Sequence, residues 1–257
     1  MEELGLKDFK LEDDLFYIVN LSQIKSVHRT DAEYFQPKYE KLIEKIKKIS
    51  KPLLEVVDNI PARFNPQSQQ DKNFKYVELE HINTSIGIID EDMEILGKEA
   101  PSRARRILKA GDVIVSSVEG SLEKVALVHR EQEGYLASNG FFQFRPKIKE
   151  FEYKGSSNEP PIIETFIDLR NIVEVYPEVL LVIAKSIVFQ MQLKKHAAGT
   201  ILTAIPKEAL NKILIPILPG DKQNDIRYLV QQSHEARKKA KELLEEAKQK
   251  VEKLIEE

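Results

Sequence analysis

Three polar clusters in this chain carry the residue types that read or grip nucleic acid. The first is Arg63-Phe-Asn65-Pro-Gln67-Ser-Gln69-Gln70-Asp-Lys72. Arg, Asn and Gln can each offer two hydrogen-bonding atoms at once to the edge of guanine or adenine in a major groove. The second, Arg103, Arg105 and Arg106, is a local positive charge suited to phosphate. The third is Ser116-Ser117-Val-Glu119-Gly-Ser121-Leu-Glu-Lys124. Its carboxylate can accept from a cytosine amino group, while its hydroxyls and lysine reach bases or phosphates. Thr200 and Thr203 add hydroxyls farther along. An ordinary solvated loop or hairpin has the same composition, so residue type alone leaves both readings open.

Bond-making chemistry finds much less support. No G-x-x-x-x-G-K-[ST] or G-x-G-x-x-G loop occurs, so no phosphate cradle for a nucleotide is expected. The one Pro-Pro pair lies between Glu159 and Ile162, which rules out the Asn/Asp-Pro-Pro-aromatic motif of amino-methyltransferases. With no cysteine at all, zinc fingers, iron–sulfur clusters, disulfides and thiol nucleophiles are excluded. His28, His81, His129, His196 and His234 are scattered, with no pair at helical ligand spacing. The one arrangement open to a nuclease is Asp112 with Glu152 and Lys154, a combination common by chance. The expectation is a non-enzymatic chain with no catalytic residues, no metal and no cofactor.

The elements that must position the polar clusters follow from periodicity. Tyr39, Leu42, Ile43, Ile46 and Ile49 recur at helical spacing, with Pro37 in the first turn and Ser50-Lys51-Pro52 as a stop. From residue 51 the character changes. Short β-type runs at 76–79, 112–116, 124–128 and 141–144 alternate with turns at 119–121, 133–134 and 139–140. Pro177, the apolar run Val179 to Phe189 and the closing Lys194-Lys195-His196 predict one buried helix over 177–196, stopped by Gly199. Beyond 220, apolar or small residues recur in steps of three and four to the end, among them Ile226, Leu229, Val230, Ala240, Leu243, Leu244, Ala247, Val251 and Leu254. At 1.5 Å per residue that helix spans about 55 Å, too long to hide its stripe on its own domain. A coiled coil is the expected solution.

The fold class is therefore α+β: a mainly antiparallel β domain with flanking helices, followed by a long C-terminal coiled-coil helix. Three zones are expected: a lead and amphipathic helix over 1–50, a β domain over 51–219, and the rod over 220–257. Formal net charge is −3 with 32% charged residues, which argues against coating nucleic acid by bulk electrostatics and leaves room for a local basic face. No apolar run reaches the roughly 18 residues of a membrane helix and the first 15 residues are acidic and polar, so a cytoplasmic protein without a membrane partner is expected.

The order of segments resembles the DNA specificity subunits of Type I restriction-modification systems. The match runs from Arg29-Thr-Asp31-Ala-Glu-Tyr34-Phe-Gln-Pro37-Lys-Tyr39 through Pro52 to Val57 and Tyr76 to Asn83. It continues with Leu108-Lys-Ala-Gly111-Asp112 to Ser117, Glu119-Gly120, Ala137-Ser138-Asn139 and Gly199-Thr200. It ends on Leu210 to Pro219, with Gln223 opening the rod. No single motif is diagnostic; the ordered set over about 29–257 is far more specific. Full subunits of that family carry two target-recognition domains, each followed by a long helix, and this chain has one of each. It is similar to a half-length form.

The resemblance implies a recognition domain reading one half of a split double-stranded DNA target. It implies rods packed antiparallel as spacers, here in a homodimer, with surfaces for methyltransferase (modification) subunits and, through the complex, for a translocase/endonuclease subunit. Catalysis, S-adenosylmethionine and ATP would then belong to partner chains. The rival from another class is a coiled-coil adaptor whose β domain binds protein, which the acidic net charge suits.

Overall fold

The computed structural model describes residues 17–148, 173–197 and 204–256. In chain order come α1 (Leu21–Val27), α2 (Pro37–Ile46), β1 (Ser50–Pro52), α3 (Leu53–Val56) and β2 (Val57–Asn59). Then follow β3 (Asn73–Val77), β4 (Ile82–Asn83), β5 (Ile88–Ile89), β6 (Met93–Leu96) and β7 (Ala104–Ile107). The next strands are β8 (Val113–Ser116), β9 (Val125–Leu127), β10 (Leu136–Ser138) and β11 (Phe141–Pro146). The chain closes with α4 (Pro177–Lys185), α5 (Ile187–His196), β12 (Leu214–Pro216) and α6 (Gly220–Glu256).

The strands form a six-stranded sheet ordered β2-β11-β8-β9-β5-β4, a four-stranded sheet ordered β6-β3-β10-β7, and the pair β1-β12. All pairings are antiparallel except β3 with β10 and β5 with β9. The expected α+β architecture, mainly antiparallel with a long terminal helix, is what the chain adopts.

Period-two alternation explains the layers. On β8, Val113 and Val115 turn toward α4 and α5, while Ile114 turns toward the four-stranded sheet. On β11, Phe142 and Phe144 join the helices, with Phe144 edge-on to Phe189 at 6.2 Å, and Phe141 faces the other sheet. A strand buried on both faces reads as a continuous apolar run, as 113–115 and 141–144 do. The polar insertion is Gln143, whose amide donates to Ile107 O at 2.9 Å and to Asp112 at 2.7 Å.

Two helical expectations need correction. The helix expected over 177–196 is two helices, broken at Ser186, whose ψ is 154°. Its hydroxyl donates to Ile183 O at 2.6 Å, so a side chain takes a carbonyl that would otherwise accept from the next helical turn. The break lets α4 and Phe189 and Leu193 of α5 meet one core, while Val188 and Met191 meet α2. On α2 the expected stripe holds at Tyr39, Leu42 and Ile46, all buried, but Ile49 falls in a 3₁₀ turn and is 38% exposed. The short helix α1 had no counterpart in the periodicity. Gly199, the expected stop, lies outside the described residues.

The apolar stripe of α2 packs on α5, through Tyr39, Leu42 and Ile46 against Val188 and Met191. The segment before α2 is tied to the end of α5, where Arg29 donates to Ala197 O at 2.9 Å, and α2 itself is bonded there through Glu40 and Lys195. Tyr34 meets the His196 ring edge-on at 5.5 Å. Burial, then Lys212, Lys195 and Arg29, lower the His196 pKa to about 4.

Candidate nucleic-acid interface

Arg63, Asn65, Gln67, Gln69 and Lys72 are all exposed, on the connection between β2 and β3. The connection is built, not loose. Pro66 is buried at the start of a 3₁₀ turn, Pro66–Gln69, and Phe64 packs edge-on to Phe74 at 5.8 Å. Gly97 N donates to Lys72 O at 2.9 Å and Lys98 N to Gln70 O at 3.1 Å. Gly97 is required here by close approach: a Cβ on it would sit 2.1 Å from Gln69 O. Five polar side chains are thus presented from a fixed backbone.

Hydrogen bonds string the other clusters beside this one. Phe64 N donates to Arg105 O at 3.0 Å, and Asn139 N to Arg103 O at 2.7 Å. Ser117 donates to Gly140 O twice, through its amide and its hydroxyl, both at 2.8 Å. Ile205 N donates to Ser117 O at 2.8 Å, and Val118 bridges Ala204. The connection 63–72, Arg103 and Arg105, the turn 139–140 and the hairpin 116–124 therefore form one continuous rim. Thr200 and Thr203 lie outside the described residues.

Arg103 is 59% exposed yet bonded to Glu78. Arg105 is half-buried, with Nε donating to Ser102 O at 2.8 Å. Lys124, half-buried, reaches Ile82 O at 3.4 Å. Glu119 and Ser121 are half-buried at the hairpin tip.

Arg106 is a correction. It is 2% exposed and bonded to Ile60 O, and burial lowers its pKa to about 10. Alternation along β7 turns Ala104 and Arg106 inward, so this guanidinium cannot meet a phosphate. Ser116 is a second correction: fully buried, it shares a 2.8 Å hydrogen bond with Ser121 Oγ and accepts from Val118 N at 3.1 Å. It holds the hairpin in shape. Residue types alone did not reveal Glu78, Gly97 and Asn139, which position the rim. The turn at 139–140 was the available signal for Asn139, and the Gly97-Lys98 step after a β run the one for Gly97.

The rod has two faces. Gln223, Ile226, Val230, His234, Arg237 and Lys241 follow one another in steps of three and four and face the domain. Ile226 and Val230 pack on the main core, which corrects their expected place on a free seam. Leu229, Ala240, Leu243, Leu244, Ala247, Val251 and Leu254 are exposed, five of them leucine or valine at 56–74%. Given 3.6 residues per turn, this second stripe is centred roughly 100° around the helix from the docked face.

Asp112 is fully buried and accepts from Arg145 at 2.7 and 2.8 Å, Gln143 at 2.7 Å and Lys109 N at 2.9 Å. Both its oxygens are bonded inside the fold and the residue is fully buried, which removes the nuclease arrangement's first carboxylate. Glu152 and Lys154 lie outside the described residues. Among the described residues no group of three or more His, Asp or Glu side chains could hold a metal ion. None of the described helices is long and apolar enough to cross a membrane.

No family model matches the chain, and no curated protein matches it. Solved structures do. One, reported as the structural basis underlying complex assembly and conformational transition of the type I R-M system, is 28% identical with a TM-score of 0.55. The match covers 79% of this chain and 46% of that one. Another, the HsdS subunit from Thermoanaerobacter tengcongensis, is 26% identical with a TM-score of 0.52, covering 76% of this chain and 43% of that one. The resemblance carried by the ordered sequence motifs is thus matched in three dimensions, and the chain spans less than half the length of these neighbours.

Proposed function

We propose that this chain, similar in fold to the type I specificity subunits, is a non-catalytic DNA-recognition component of a type I restriction-modification system. The observation that carries it is the pairing of two features in one body: a fixed polar rim, and a rod that docks by one face while a second apolar stripe stays exposed. The rim residues Arg63, Asn65, Gln67, Gln69, Lys72, Arg103 and Arg105 would read or grip one half of a split target, with Ser117, Glu119, Ser121 and Lys124 on the hairpin beside them. Two copies would pair antiparallel through the stripe Leu229 to Leu254, holding two readers apart about a dyad. A symmetric pair of identical readers selects a split palindrome. Methyltransferase subunits would dock on this assembly and supply the chemistry, with a translocase/endonuclease subunit joining through them.

Co-expression with a type I methyltransferase subunit, followed by methylome sequencing, tests this reading. A methylated motif of two inverted half-sites at one spacing is expected. Failure to bind DNA even with the methyltransferase present would favour a protein-binding adaptor, the reading that the net charge of −3 suits.

A further inference from the structure

The docked face of α6 is held at intervals along about 27 Å, the rise of the 18 residues from Gln223 to Lys241. At its start, the buried Gln223 accepts from Tyr176 N at 3.1 Å and donates to Glu174 O at 3.0 Å and Leu218 O at 2.9 Å. Apolar packing follows at Ile226 and Val230. Arg227 and Gln231 both donate to Glu178, at 3.3 and 2.8 Å. Beyond that the contacts are polar. His234 Nε2 lies 2.9 Å from Ile86 O, and its ring meets that of His129 edge-on at 5.0 Å. Arg237 and Lys241 converge on one carboxylate, Asp90, at 3.0 and 3.1 Å. Asn83 donates to the same carboxylate at 3.2 Å, and Lys241 also reaches Asp90 O at 3.2 Å.

Geometry gives this last contact a particular leverage. Gln223 and the apolar pair fix where the rod starts, and the farthest side-chain contact fixes its direction. Helix α6 runs about 50 Å beyond Gln223, so a tilt of about 5° moves its far end by about 4 Å, more than the ~3.4 Å rise of one base pair. We propose that Asp90, clasping Arg237 and Lys241, is a specificity-determining positioning residue: it sets the angle between reader and rod, and so the spacing between half-sites. This rests on the DNA-reading function proposed above.

Its carboxyl is well prepared for the task. Burial on its own would raise the pKa, but the bonds from Asn83, Lys241 and Arg237 outweigh that and hold it at about 2. It is therefore charged at any physiological pH.

The test uses the full chain with its methyltransferase partners and a DNA library of paired half-sites whose spacers differ by single base pairs. The wild type should select one spacing sharply. Asp90→Asn, and separately Arg237→Met with Lys241→Met, should keep the half-site sequence but spread selection over neighbouring spacings, with the preference for the parental spacing falling several-fold. Asp90→Glu, which keeps the charge, should restore most of the sharpness. Retention of the parental spacing by Asp90→Asn would overturn the inference while leaving DNA reading intact; loss of the half-site sequence in that variant would also overturn it, by showing that Asp90 acts on reading itself and not on spacing. A wild-type chain that selects no half-site would overturn both.

Discussion

Arg103 bonds Glu78 through two of its nitrogens, Nε to Oε1 at 2.8 Å and Nη2 to Oε2 at 2.9 Å. The guanidinium is exposed at the rim, yet its direction is set by a carboxylate only 16% exposed. Glu78 therefore both aims Arg103 and offsets its charge toward DNA. Glu78→Gln should strengthen DNA binding and steepen its salt dependence, whereas Arg103→Ala should weaken binding and lower the log–log salt slope by about 1. Binding titrations of the methyltransferase-loaded complex across salt check both. Slopes unchanged in the two variants would remove Arg103 from the phosphate contacts.

Arg106 should behave in the opposite way. A buried guanidinium with its one described bond to Ile60 O, and Nε without a partner, costs desolvation that little repays. Arg106→Met should leave the salt slope of DNA binding unchanged and keep or raise stability, by up to about 2 kcal/mol. Denaturant unfolding reads the second part. A loss of stability larger than that would mean the buried cation is itself a structural anchor.

Acid should loosen the seam between the N-terminal segment and α5. His196 has a folded pKa of about 4 against an ordinary 6.5, so the unfolded chain takes up the proton first. Stability is then fully present above about pH 6.5 and is lost as pH falls through 4, by on the order of 3 kcal/mol. His196→Phe, which keeps a ring against Tyr34, should flatten that slope in unfolding measurements between those values. A pH profile identical to the wild type would show that His196 is not responsible.

The two faces of α6 should separate under mutation. Leu244→Lys with Leu254→Lys lies on the exposed stripe; it should abolish self-association in sedimentation experiments without lowering thermal stability of the single chain. Ile226→Ala, on the docked face, should cost about 1–3 kcal/mol of stability. A Leu244/Leu254 variant that still pairs would place the partner surface elsewhere.

Much of the architecture was legible because the code for it is local. The short β-branched and aromatic runs at 113–115 and 141–144, bounded by turn residues, read as strands buried on both faces, and the steps of three and four from Ile226 to Leu254 read as a helix. What escaped was set by one residue's competing chemistry: Ser186 takes a carbonyl for its side chain and divides a helix that periodicity runs through. The rim was legible as composition, since Arg63 to Lys72 announces its polar chemistry in sequence, but its partners were not. Even Arg106 carried a usable signal, because alternation along Ala104-Arg105-Arg106-Ile107 sends one arginine outward and the next inward once that stretch is seen as a strand.

The sequence by itself determined the class of fold, the length of the rod and the residue types offered to a ligand, since each depends on neighbours within a few positions. Only the tertiary structure decided which of those groups are available. It buried Arg106, paired Arg103 with Glu78, bonded both oxygens of Asp112 inside the fold, turned Ile226 and Val230 onto their own domain, and brought His129 to His234 and Asp90 to Arg237 and Lys241. Such pairings join residues far apart in the chain, and burial and charge compensation are properties of the three-dimensional neighbourhood that no local pattern encodes.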